Sequence, residues 1–433
     1  MKPARVALIG FGTVGSGVAK LLLEHQDRIQ RRTGRPVELC RIVDKDLQRP
    51  RNVVVPRELL SSDIAAAIND PNIDIVIELI GGIEPARSVL LDALRAGKDV
   101  VTANKAVLAE HATELFAEAR RVGRAIAFEA SVAGGVPIIA ALSQSLVANE
   151  IRSIRAILNG TTNYILTRME QLGQSYEQAL AEAQRQGYAE ADPTLDISGA
   201  DAAQKLAILA ALAFGAQADW KTIPRQGINL VEQADLRYAR ELGYTIKLIA
   251  SAELVDRQLD LRVCPTLIRH RTPLAEVWGA YNAVEVVGDA VGRVFFHGQG
   301  AGQMPTASAV VADVIDLVLG RGRITFRTLP IGVGNGPPIR LADPARAKSR
   351  FYLRLKVVDR PGVLAEIAGI LGRLQISIAS VIQHEPDPPQ EDGVVPLVIM
   401  THAAEEGPTA QAIEAIEKLA VVRDKVVRFR VQD

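Results

Sequence analysis

The chain has 433 residues, of which 48% are hydrophobic and 23% charged, and its formal net charge is zero. This composition is typical of a globular protein of two to four domains. It excludes a disordered chain, a nucleic-acid-binding protein with a basic face and a polybasic membrane-binding protein. No apolar run reaches roughly 20 residues, so no membrane-spanning helix is expected.

The cysteines and histidines exclude further classes. Cys40 and Cys264 cannot form a disulfide scaffold. The six histidines are scattered without metal-ligand spacing, so no zinc site is expected. The N-terminus has no signal-peptide pattern. We therefore expect a cytoplasmic protein whose partners are small molecules rather than nucleic acid or membrane.

Residues 1–135 alternate short β-branched runs with alanine-rich helical stretches. Strands are predicted at residues 5–9, 37–43, 73–79, 99–102 and 125–129, with helices between them, as at 15–24 and 83–96. This alternation predicts an α/β fold with a Rossmann-like, doubly wound parallel sheet, which is a dinucleotide-binding domain.

The remaining chain is predicted to form further domains. Residues 136–302 are expected to form an α+β catalytic and dimerisation domain, with a helix at 138–148 and strands at 151–158, 258–265, 284–287 and 293–297. Residues 303–331 are expected to form a helix returning to the dinucleotide domain. The glycines and prolines of residues 332–349 indicate a linker. Residues 350–433 are expected to fold as strand, helix, strand, strand, helix, strand.

A glycine-rich turn follows the first strand and opens a helix, with the sequence Gly10-Phe11-Gly12-Thr13-Val14-Gly15. In a G-x-G-x-x-G turn the first glycine allows the tight turn, the second admits a pyrophosphate and the third lets the helix approach the strand. The helix start supplies N–H groups for the anion. A glycine turn without a ligand is the alternative.

Asp44 closes the second predicted strand and bears on the choice of cofactor. Its carboxylate could accept from a ribose hydroxyl, which favours NAD. Lys45, Arg49 and Arg51 follow closely and could hold a 2′-phosphate, which favours NADP. The pattern leaves NAD and NADP both open.

Asn104 and Lys105 follow the strand predicted at residues 99–102. Ligands of open parallel sheets bind beyond the carboxyl ends of the strands, so these two side chains are expected to lie near the nicotinamide. A solvated surface lysine is the alternative. Gly81 and Gly82, after another strand, could likewise let backbone approach the cofactor, although a plain turn explains them nearly as well.

An acidic stretch precedes a predicted helix that carries a lysine. Glu190, Asp192 and Asp196 come before the helix, and Asp201 and Lys205 share one side of it because they lie four residues apart. Such a cluster can hold a substrate ammonium and keep the lysine charged, so that it can donate a proton to a forming alkoxide. An exposed ion pair at a helix start explains the spacing equally well.

Taken together, these motifs resemble those of the homoserine dehydrogenase family over roughly residues 4–330. They are G-x-G-x-x-G at 10–15, Thr-Ala-Asn-Lys at 102–105, Glu-Ala-Ser-Val-Ala-Gly-Gly-Val-Pro at 129–137, Leu-Asn-Gly-Thr-Thr-Asn-Tyr-Ile-Leu at 158–166, Gly-Tyr-Ala-Glu-Ala-Asp-Pro at 187–193 followed by Asp-Ile-Ser-Gly-Ala-Asp-Ala-Ala-Gln-Lys-Leu at 196–206, and His-Gly-Gln-Gly-Ala-Gly-Gln-Met-Pro at 297–305.

The resemblance implies a reaction and a set of roles. The family reduces aspartate 4-semialdehyde to homoserine with NAD(P)H, a step towards threonine, methionine and isoleucine. Lys205 would be the general acid, Lys105 would line the shared substrate and nicotinamide site, and Asp201 would help position the substrate. Glu190 would contact the substrate amino group, and Asp196 would belong to the same substrate site.

The resemblance also implies cofactor and cation contacts. Thr102, Lys105, Gly187 and Gly302 would join the glycine loop and Asp44 around the NAD or NADP cofactor. The backbone oxygens of the 129–137 motif would coordinate a monovalent cation such as Na⁺; they are those of Glu129, Val132, Gly134 and Val136. A tight bend without a cation is the alternative for this loop.

Residues 350–433 resemble an ACT domain. Asp359-Arg360-Pro361-Gly362 forms the turn from a strand into a helix, and Asp359 and Gly362 would contact an amino-acid effector, with threonine expected because it is made downstream of homoserine. ACT domains often pair side by side, which implies a homodimer or homotetramer. Some serve only in assembly.

Two other functions are less consistent with the sequence. A semialdehyde dehydrogenase that works through a thioester needs an activated cysteine, and neither Cys40 nor Cys264 lies beside a motif. A non-catalytic nucleotide- and amino-acid-binding regulator would not need Glu190, Asp201 and Lys205 together.

Overall fold

The computed structural model describes residues 2–331, 339–384 and 393–433. The strands are β1 (Ala4–Ile9), β2 (Val37–Val43), β3 (Leu60–Ser61), β4 (Ile75–Glu78), β5 (Asp99–Thr102), β6 (Ile126–Ala127), β7 (Ile151–Ile157), β8 (Tyr244–Val255), β9 (Gln258–Arg269), β10 (Tyr281–Gly288), β11 (Gly292–Gln299), β12 (Arg340–Leu341), β13 (Lys348–Val358), β14 (Ile378–Gln383), β15 (Val394–Thr401), β16 (Ala404–Glu405) and β17 (Val427–Gln432). The helices are α1 (Thr13–Glu24), α2 (Gln26–Thr33), α3 (Ile64–Asn69), α4 (Ala86–Arg95), α5 (Lys105–Arg121), α6 (Ile138–Ala140), α7 (Gly160–Leu172), α8 (Tyr176–Arg185), α9 (Thr194–Ile197), α10 (Ala200–Phe214), α11 (Gln233–Glu241), α12 (Gln303–Val318), α13 (Arg321–Thr328), α14 (Val363–Arg373) and α15 (Glu406–Glu417).

The chain divides into two compact units, each made of three segments. The first unit contains Met1–Ile154, Asp201–Ile223 and Tyr281–Ile339, and the second contains Arg155–Ala200, Pro224–Ala280 and Arg340–Asp433. In the part of the chain that is described, no helix has the length and apolar character needed to cross a membrane.

The first unit is built around a parallel sheet with the strand order β3-β2-β1-β4-β5-β6. Its central strands are buried along their whole length because helices cover both faces of a parallel sheet. Helix α12 packs against α1, where a Cβ at Gly17 would lie 2.9 Å from the Gln303 side chain, so only glycine allows this approach. The predicted Rossmann-like sheet is confirmed.

The second unit contains a continuous mixed sheet with the strand order β8-β9-β17-β13-β15-β14. Strands β17, β13, β15 and β14 pair antiparallel, and α14 and α15 supply apolar side chains to one core with them. This is the predicted βαββαβ ACT fold. Strand β17 also pairs in parallel with β9, so the ACT sheet continues directly into the β8–β9 hairpin.

Several predicted elements differ from those observed. The sequence analysis missed β8, although Thr245 and Lys247 alternate there with apolar residues. The structure buries all of its first seven residues, the two polar side chains included. The helix expected at 138–148 changes to a π-helical turn at Ala141. Of the predicted linker, residues 332–338 lie outside the described residues, and the rest contains β12 and the start of β13.

Candidate active site

The glycine loop between β1 and α1 has the geometry of a dinucleotide-binding turn. Gly10 has a φ of +100°, and a Cβ there would lie 2.5 Å from the Leu79 backbone. A Cβ at Gly15 would lie 2.0 Å from the carbonyl oxygen of Gly10, so the helix start can approach the strand only without a side chain. A Cβ at Gly12 would meet nothing within 4 Å. The open space at Gly12 is where a pyrophosphate can approach the backbone.

Asp44 lies beside this loop, as the sequence predicts for the residue that ends β2. Its carboxylate accepts the backbone N–H of Phe11 at 2.6 Å and that of Asp46 at 2.8 Å. The Arg51 guanidinium stacks 4.5 Å from the centre of the Phe11 ring and lies 3.6 Å from the Asp44 carboxylate. A carboxylate and a guanidinium therefore meet next to the glycine loop.

Gly302 begins α12 with a φ of +117°. The next residue, Gln303, donates its side-chain Nε2–H groups to the Ser16 hydroxyl at 2.9 Å and to the Asn52 side-chain oxygen at 3.1 Å. Ser16 lies in the first turn of α1. The predicted cofactor residue Gly302 is thus held close to the dinucleotide loop within the same unit.

A buried hydrogen-bond relay joins the carboxyl ends of β4 and β5. Glu78 is fully buried, and its carboxylate accepts the Ile80 N–H and the Thr102 hydroxyl, each at 2.7 Å. The Thr102 hydroxyl accepts the Asn104 N–H at 3.0 Å, and the Asn104 side chain donates to the Gly82 carbonyl at 2.7 Å. The relay fixes the two loops between which the nicotinamide is expected. The Thr102 hydroxyl is engaged in this relay both as a donor to Glu78 and as an acceptor from Asn104.

Asn104 also caps helix α5, because its side-chain oxygen accepts the Val107 N–H. The first residue of this helix is Lys105. The cap therefore sets the direction in which Lys105 leaves the strand end. The Lys105 side chain is 40% exposed, so it lies at the surface beyond the end of β5 rather than within the core.

One carboxylate holds both predicted active-site lysines. Asp201 is buried, with its side chain 6% exposed, and its oxygens lie 2.7 Å from Lys205 Nζ and 3.0 Å from Lys105 Nζ. Lys205 is itself only 12% exposed. A carboxylate in contact with two ammonium groups fixes the positions of both. The cluster can supply a proton to an oxygen that becomes negatively charged.

The 129–136 loop, which follows β6, bends sharply. Ala133 and Gly134 have consecutive positive φ angles, of 56° and 49°. The Glu129 carboxylate accepts the backbone N–H groups of Ile139 and Ala140 at 2.9 and 2.7 Å, and burial raises its pKa to about 7. The Glu129 side chain thus accepts hydrogen bonds at the start of α6. A cation at this loop would therefore be bound by backbone oxygens.

The remaining predicted cation ligands are backbone oxygens further along the same loop. Val132 and Val136 are buried in the loop. The Val136 carbonyl accepts the Ile138 N–H at 2.8 Å, which occupies one of its two lone pairs. Among the described residues, no group of three or more His, Cys, Asp or Glu side chains could hold a metal ion.

Three of the predicted substrate and cofactor residues belong to the second unit. Glu190 is exposed, and Gly187 ends α8 in the left-handed region with a φ of +75°. The Asp196 carboxylate accepts the Asn159 side-chain N–H at 2.7 Å, and the Asn159 oxygen caps helix α7. The motif residues of 158–166 and 187–196 are therefore tied together, with Asp196 fixed and Glu190 turned to solvent.

The predicted effector residues lie at the surface of the ACT domain. Gly362 has a φ of +94° at the start of α14, and a Cβ there would meet nothing within 4 Å. Asp359 is exposed, and its carboxylate accepts from the Gln383 side chain at 3.4 Å. The start of α14 therefore has room for a ligand carboxylate, with a side chain of β14 nearby.

Burial raises the pKa of both cysteine thiols, Cys40 and Cys264. A thioester mechanism needs the opposite, a lowered thiol pKa. The rejection of a thioester-forming dehydrogenase is consistent with this chemistry.

Sequence reasoning missed two residues that organise the site, Glu78 and Asn159. A carboxylate inside the apolar run of residues 73–80 is a signal for Glu78, because a buried charge must be hydrogen-bonded. Asn159 follows β7 and precedes a helix, which is an N-cap signal. Both residues position the loops that carry the predicted groups.

A glycine loop at the first turn of a doubly wound parallel sheet, with Lys105 at a neighbouring strand end and Asp201 in contact with both Lys105 and Lys205, fits an NAD(P)-dependent oxidoreductase. The chain is 39% identical to homoserine dehydrogenase of Bacillus subtilis and 42% identical to that of Pseudomonas aeruginosa, and each match covers 100% of this chain and 99% of the relative. The chain belongs to the homoserine dehydrogenase family.

The family models and solved structures agree with this assignment. Residues 10–129 match the NAD-binding domain of homoserine dehydrogenase, residues 137–315 match homoserine dehydrogenase and residues 351–421 match the ACT domain. The crystal structure of a homoserine dehydrogenase from Thiobacillus denitrificans superposes with a TM-score of 0.90 at 42% identity, covering 100% of this chain and 99% of that chain. A hyperthermophilic archaeal homoserine dehydrogenase mutant in complex with NADPH gives a TM-score of 0.63 at 27% identity, covering 74% of this chain and 98% of that chain.

Proposed function

We propose that the chain reduces L-aspartate 4-semialdehyde to L-homoserine, in the route to threonine, methionine and isoleucine, and that it works in the cytoplasm. The observation that carries this proposal is the pair of lysines held by Asp201 beside the strand ends of the dinucleotide sheet. When bound, the nicotinamide supplies the hydride that reduces the aldehyde carbon. Lys205 donates a proton to the aldehyde oxygen as it becomes an alkoxide, and regains one from solvent.

The two lysines take different parts in this proposal. Lys205 is assigned the proton donation because it is the more enclosed of the two lysines, with a side chain 12% exposed against 40% for Lys105. Lys105 is more exposed and begins the helix that Asn104 caps, which suits a group that lines the substrate and nicotinamide site. Most of the rate enhancement would come from orientation and from stabilisation of the alkoxide charge.

Substrate binding is assigned to carboxylates of the second unit. Glu190 is an exposed carboxylate on the loop after α8 and would bind the substrate ammonium. Asp196 is fixed by Asn159, which suits a residue that shapes the substrate site. Gly187 would contribute backbone to the cofactor end of the same loop.

Either NAD or NADP fits the residues beside the glycine loop. Asp44 favours NAD through a ribose hydroxyl, and Arg51 favours NADP through a 2′-phosphate. The archaeal relative solved with NADPH supports use of NADP in this family. We leave both cofactors in the proposal and assign the choice to the balance between these two side chains.

A monovalent cation such as Na⁺ is proposed at the 129–136 loop. The backbone oxygens of Glu129, Val132, Gly134 and Val136 are the proposed donors. The two consecutive positive φ angles in this loop support the proposal, because they turn successive carbonyls out of an extended run. Replacing sodium by a bulky organic cation at equal ionic strength should change activity or melting temperature, and no change in either would remove the cation from the proposal.

The ACT domain is proposed to bind threonine, with its carboxylate at the start of α14 near Gly362 and its ammonium near Asp359. The open space at Gly362 supports this placement. Strand β14 ends the strand order of the sheet among the described residues, which supports side-by-side pairing of two ACT domains in a homodimer or homotetramer. Typical allosteric couplings are about 1–3 kcal/mol.

The central experiment measures initial rates with homoserine and NAD or NADP, with and without threonine. The proposal expects oxidation of homoserine with at least one cofactor and inhibition by threonine. Absence of homoserine oxidation with either cofactor would refute the proposed reaction. Activity without any threonine effect would refute the proposed regulation alone.

A point variant tests the effector site better than removal of the ACT domain. Truncation after Ser349 would remove Arg354, the partner of a buried aspartate, and β17, the neighbour of β9. Gly362→Asp places a negative side chain where the threonine carboxylate would lie and leaves these contacts in place. The variant should keep its activity and lose its threonine response, whereas an unchanged response would place threonine elsewhere.

A further inference from the structure

A polar cavity lies in the second unit, and the predicted effector turn does not contribute to its lining. It has a volume of about 110 Å³ and is lined by residues of β9, β17, the start of α15 and the segment 224–226. A single water needs on the order of 10–15 Å³ of such space, so the cavity has room for a group the size of phosphate. It lies where the β8–β9 hairpin joins the ACT sheet.

Several arginines line the cavity, because alternate residues of β9 and β17 point towards it. Arg262 and Cys264 share one face of β9, and Arg428 and Arg430 share one face of β17, since residues two apart point the same way. The parallel pairing of β17 with β9 brings these faces together. Arg225 from the neighbouring segment also lines the cavity.

Two carboxylates partly neutralise this group. Asp260 accepts both Nε and Nη2 of Arg262, at 2.9 and 2.7 Å. Glu406 accepts Arg262 Nη1 at 3.0 Å and Arg430 Nε at 2.8 Å, and its other oxygen lies 2.7 Å from Arg428 Nη1. Leaving Arg225 aside, three guanidiniums share two carboxylates, so one positive charge is left over.

The guanidiniums also have unused donors. Arg430 Nη2 is buried and finds no hydrogen-bond acceptor among the described residues, and Arg428 Nη1 approaches Glu406 without the alignment of a hydrogen bond. A buried donor without an acceptor is unfavourable, so such groups usually face a ligand or an ordered water. Guanidinium groups only donate, and their planar fork matches the oxygens of carboxylate and phosphate.

We propose that this cavity is a binding site for a small oxyanion, a phosphate or a carboxylate, at the junction of the β8–β9 hairpin and the ACT sheet. The anion would accept from Arg428 and Arg430 and balance the charge that Asp260 and Glu406 leave uncompensated. It would link β9 to β17 and so strengthen the junction. The site does not depend on the proposed effector turn at Gly362.

The test is a titration of the full chain with inorganic phosphate, in which the melting temperature is measured. A chloride titration at the same ionic strength is the reference. Saturating nicotinamide cofactor is present throughout, because the glycine loop also binds phosphate. The proposal expects a saturable rise of a few degrees. A parallel titration with acetate shows whether a carboxylate serves as well. A phosphate effect no larger than that of chloride, with acetate also without effect, would overturn the proposal.

Variants locate the effect in the cavity. Arg428→Gln and Arg430→Gln should each lower the apparent affinity for phosphate about ten- to a hundredfold. Each variant removes a charge-assisted hydrogen bond to the anion. Arg423→Gln, an exposed arginine of the same domain, is the matched control and should respond like the parent chain. Equal phosphate responses in all three variants would place the anion elsewhere.

A second measurement needs no arginine variant. Cys264 lines the cavity, and Cys40 can be replaced by serine so that Cys264 is the remaining thiol. Saturating phosphate should slow labelling of Cys264 by a small thiol reagent several-fold. A labelling rate independent of phosphate would contradict occupation of this cavity.

Discussion

Asp201 and Asp235 are both buried aspartates with cationic partners, but their surroundings differ. Asp201 holds two lysines, and one of them is 40% exposed at the strand ends of the first unit. Asp235 is completely buried in the second unit, where Arg354 reaches it with Nε and Nη2 at 2.6 and 3.1 Å and Tyr352 donates its hydroxyl at 2.9 Å.

The choice of cation explains the difference. Arginine keeps its proton in proteins and offers a rigid fork, which suits a permanent contact between α11 and β13. Lysine is a mobile point charge that can release a proton, which suits chemistry. Burial raises the pKa of Asp235, and the Arg354 guanidinium opposes this, so the pair must stay intact for the carboxylate to remain charged. We therefore expect one cluster to determine turnover and the other to determine stability.

Replacing Lys205 by methionine should give the largest effect on turnover. Lys205→Met removes the proposed proton donor while keeping most of the side-chain volume, so kcat should fall by a factor on the order of 100 to 10,000. Melting temperature should change little, because Lys105 still pairs with the buried Asp201 carboxylate. Lys418→Met is the matched control, because Lys418 also pairs with an acid four residues earlier, Glu414. The Lys418 side chain is 72% exposed. Near-normal turnover in Lys205→Met would transfer the proton donation to Lys105 or water.

Arg354→Met should produce the converse result. It leaves the Asp235 carboxylate buried without its main partner, which typically costs about 3–5 kcal/mol in the free energy of unfolding. The kcat of the folded enzyme should stay near that of the parent chain. Arg360→Met, which breaks an exposed pair with Glu366, should cost less than about 1 kcal/mol. Denaturant unfolding measures both. A loss of kcat at unchanged stability would show that this contact acts on the active site.

Glu78→Gln tests whether the buried relay positions the Lys105 side of the site. Glutamine can still accept the Ile80 N–H, but its amide N–H₂ faces the Thr102 hydroxyl, which must then give up its role as donor. We expect kcat to fall about ten- to a hundredfold, the range set by one hydrogen bond to a charged group. Thr102→Ser keeps the hydroxyl and should retain most activity. A normal kcat in Glu78→Gln would reduce the relay to a packing feature.

The sequence predicted well those features that local chemistry determines. The glycine loop, Asp44 and the strand ends follow from strand–turn–helix order, and the Asp201–Lys205 contact follows from helical spacing. Pairing between distant segments could not be read in the same way. Strand β17 joins β9, and Asp201 reaches Lys105, through contacts that separate elements make only after folding.

Asp44 and Arg51 extend the comparison to a third aspartate with a cationic neighbour, and here the expected effect is smallest. The Asp44 carboxylate already accepts two backbone N–H groups, and each oxygen keeps a lone pair for a ribose hydroxyl. Asp44→Ser should raise the KM for NAD about tenfold more than that for NADP, because Arg51 would still be present to meet a 2′-phosphate. Asp46→Ser is the control for loop damage, since Asp46 accepts the Gln48 and Arg49 N–H groups. Equal increases for both cofactors in Asp44→Ser would show that Asp44 only holds the glycine loop in place. A greater increase in the KM for NADP would instead mean that Asp44 acts by orienting Arg51 towards the 2′-phosphate.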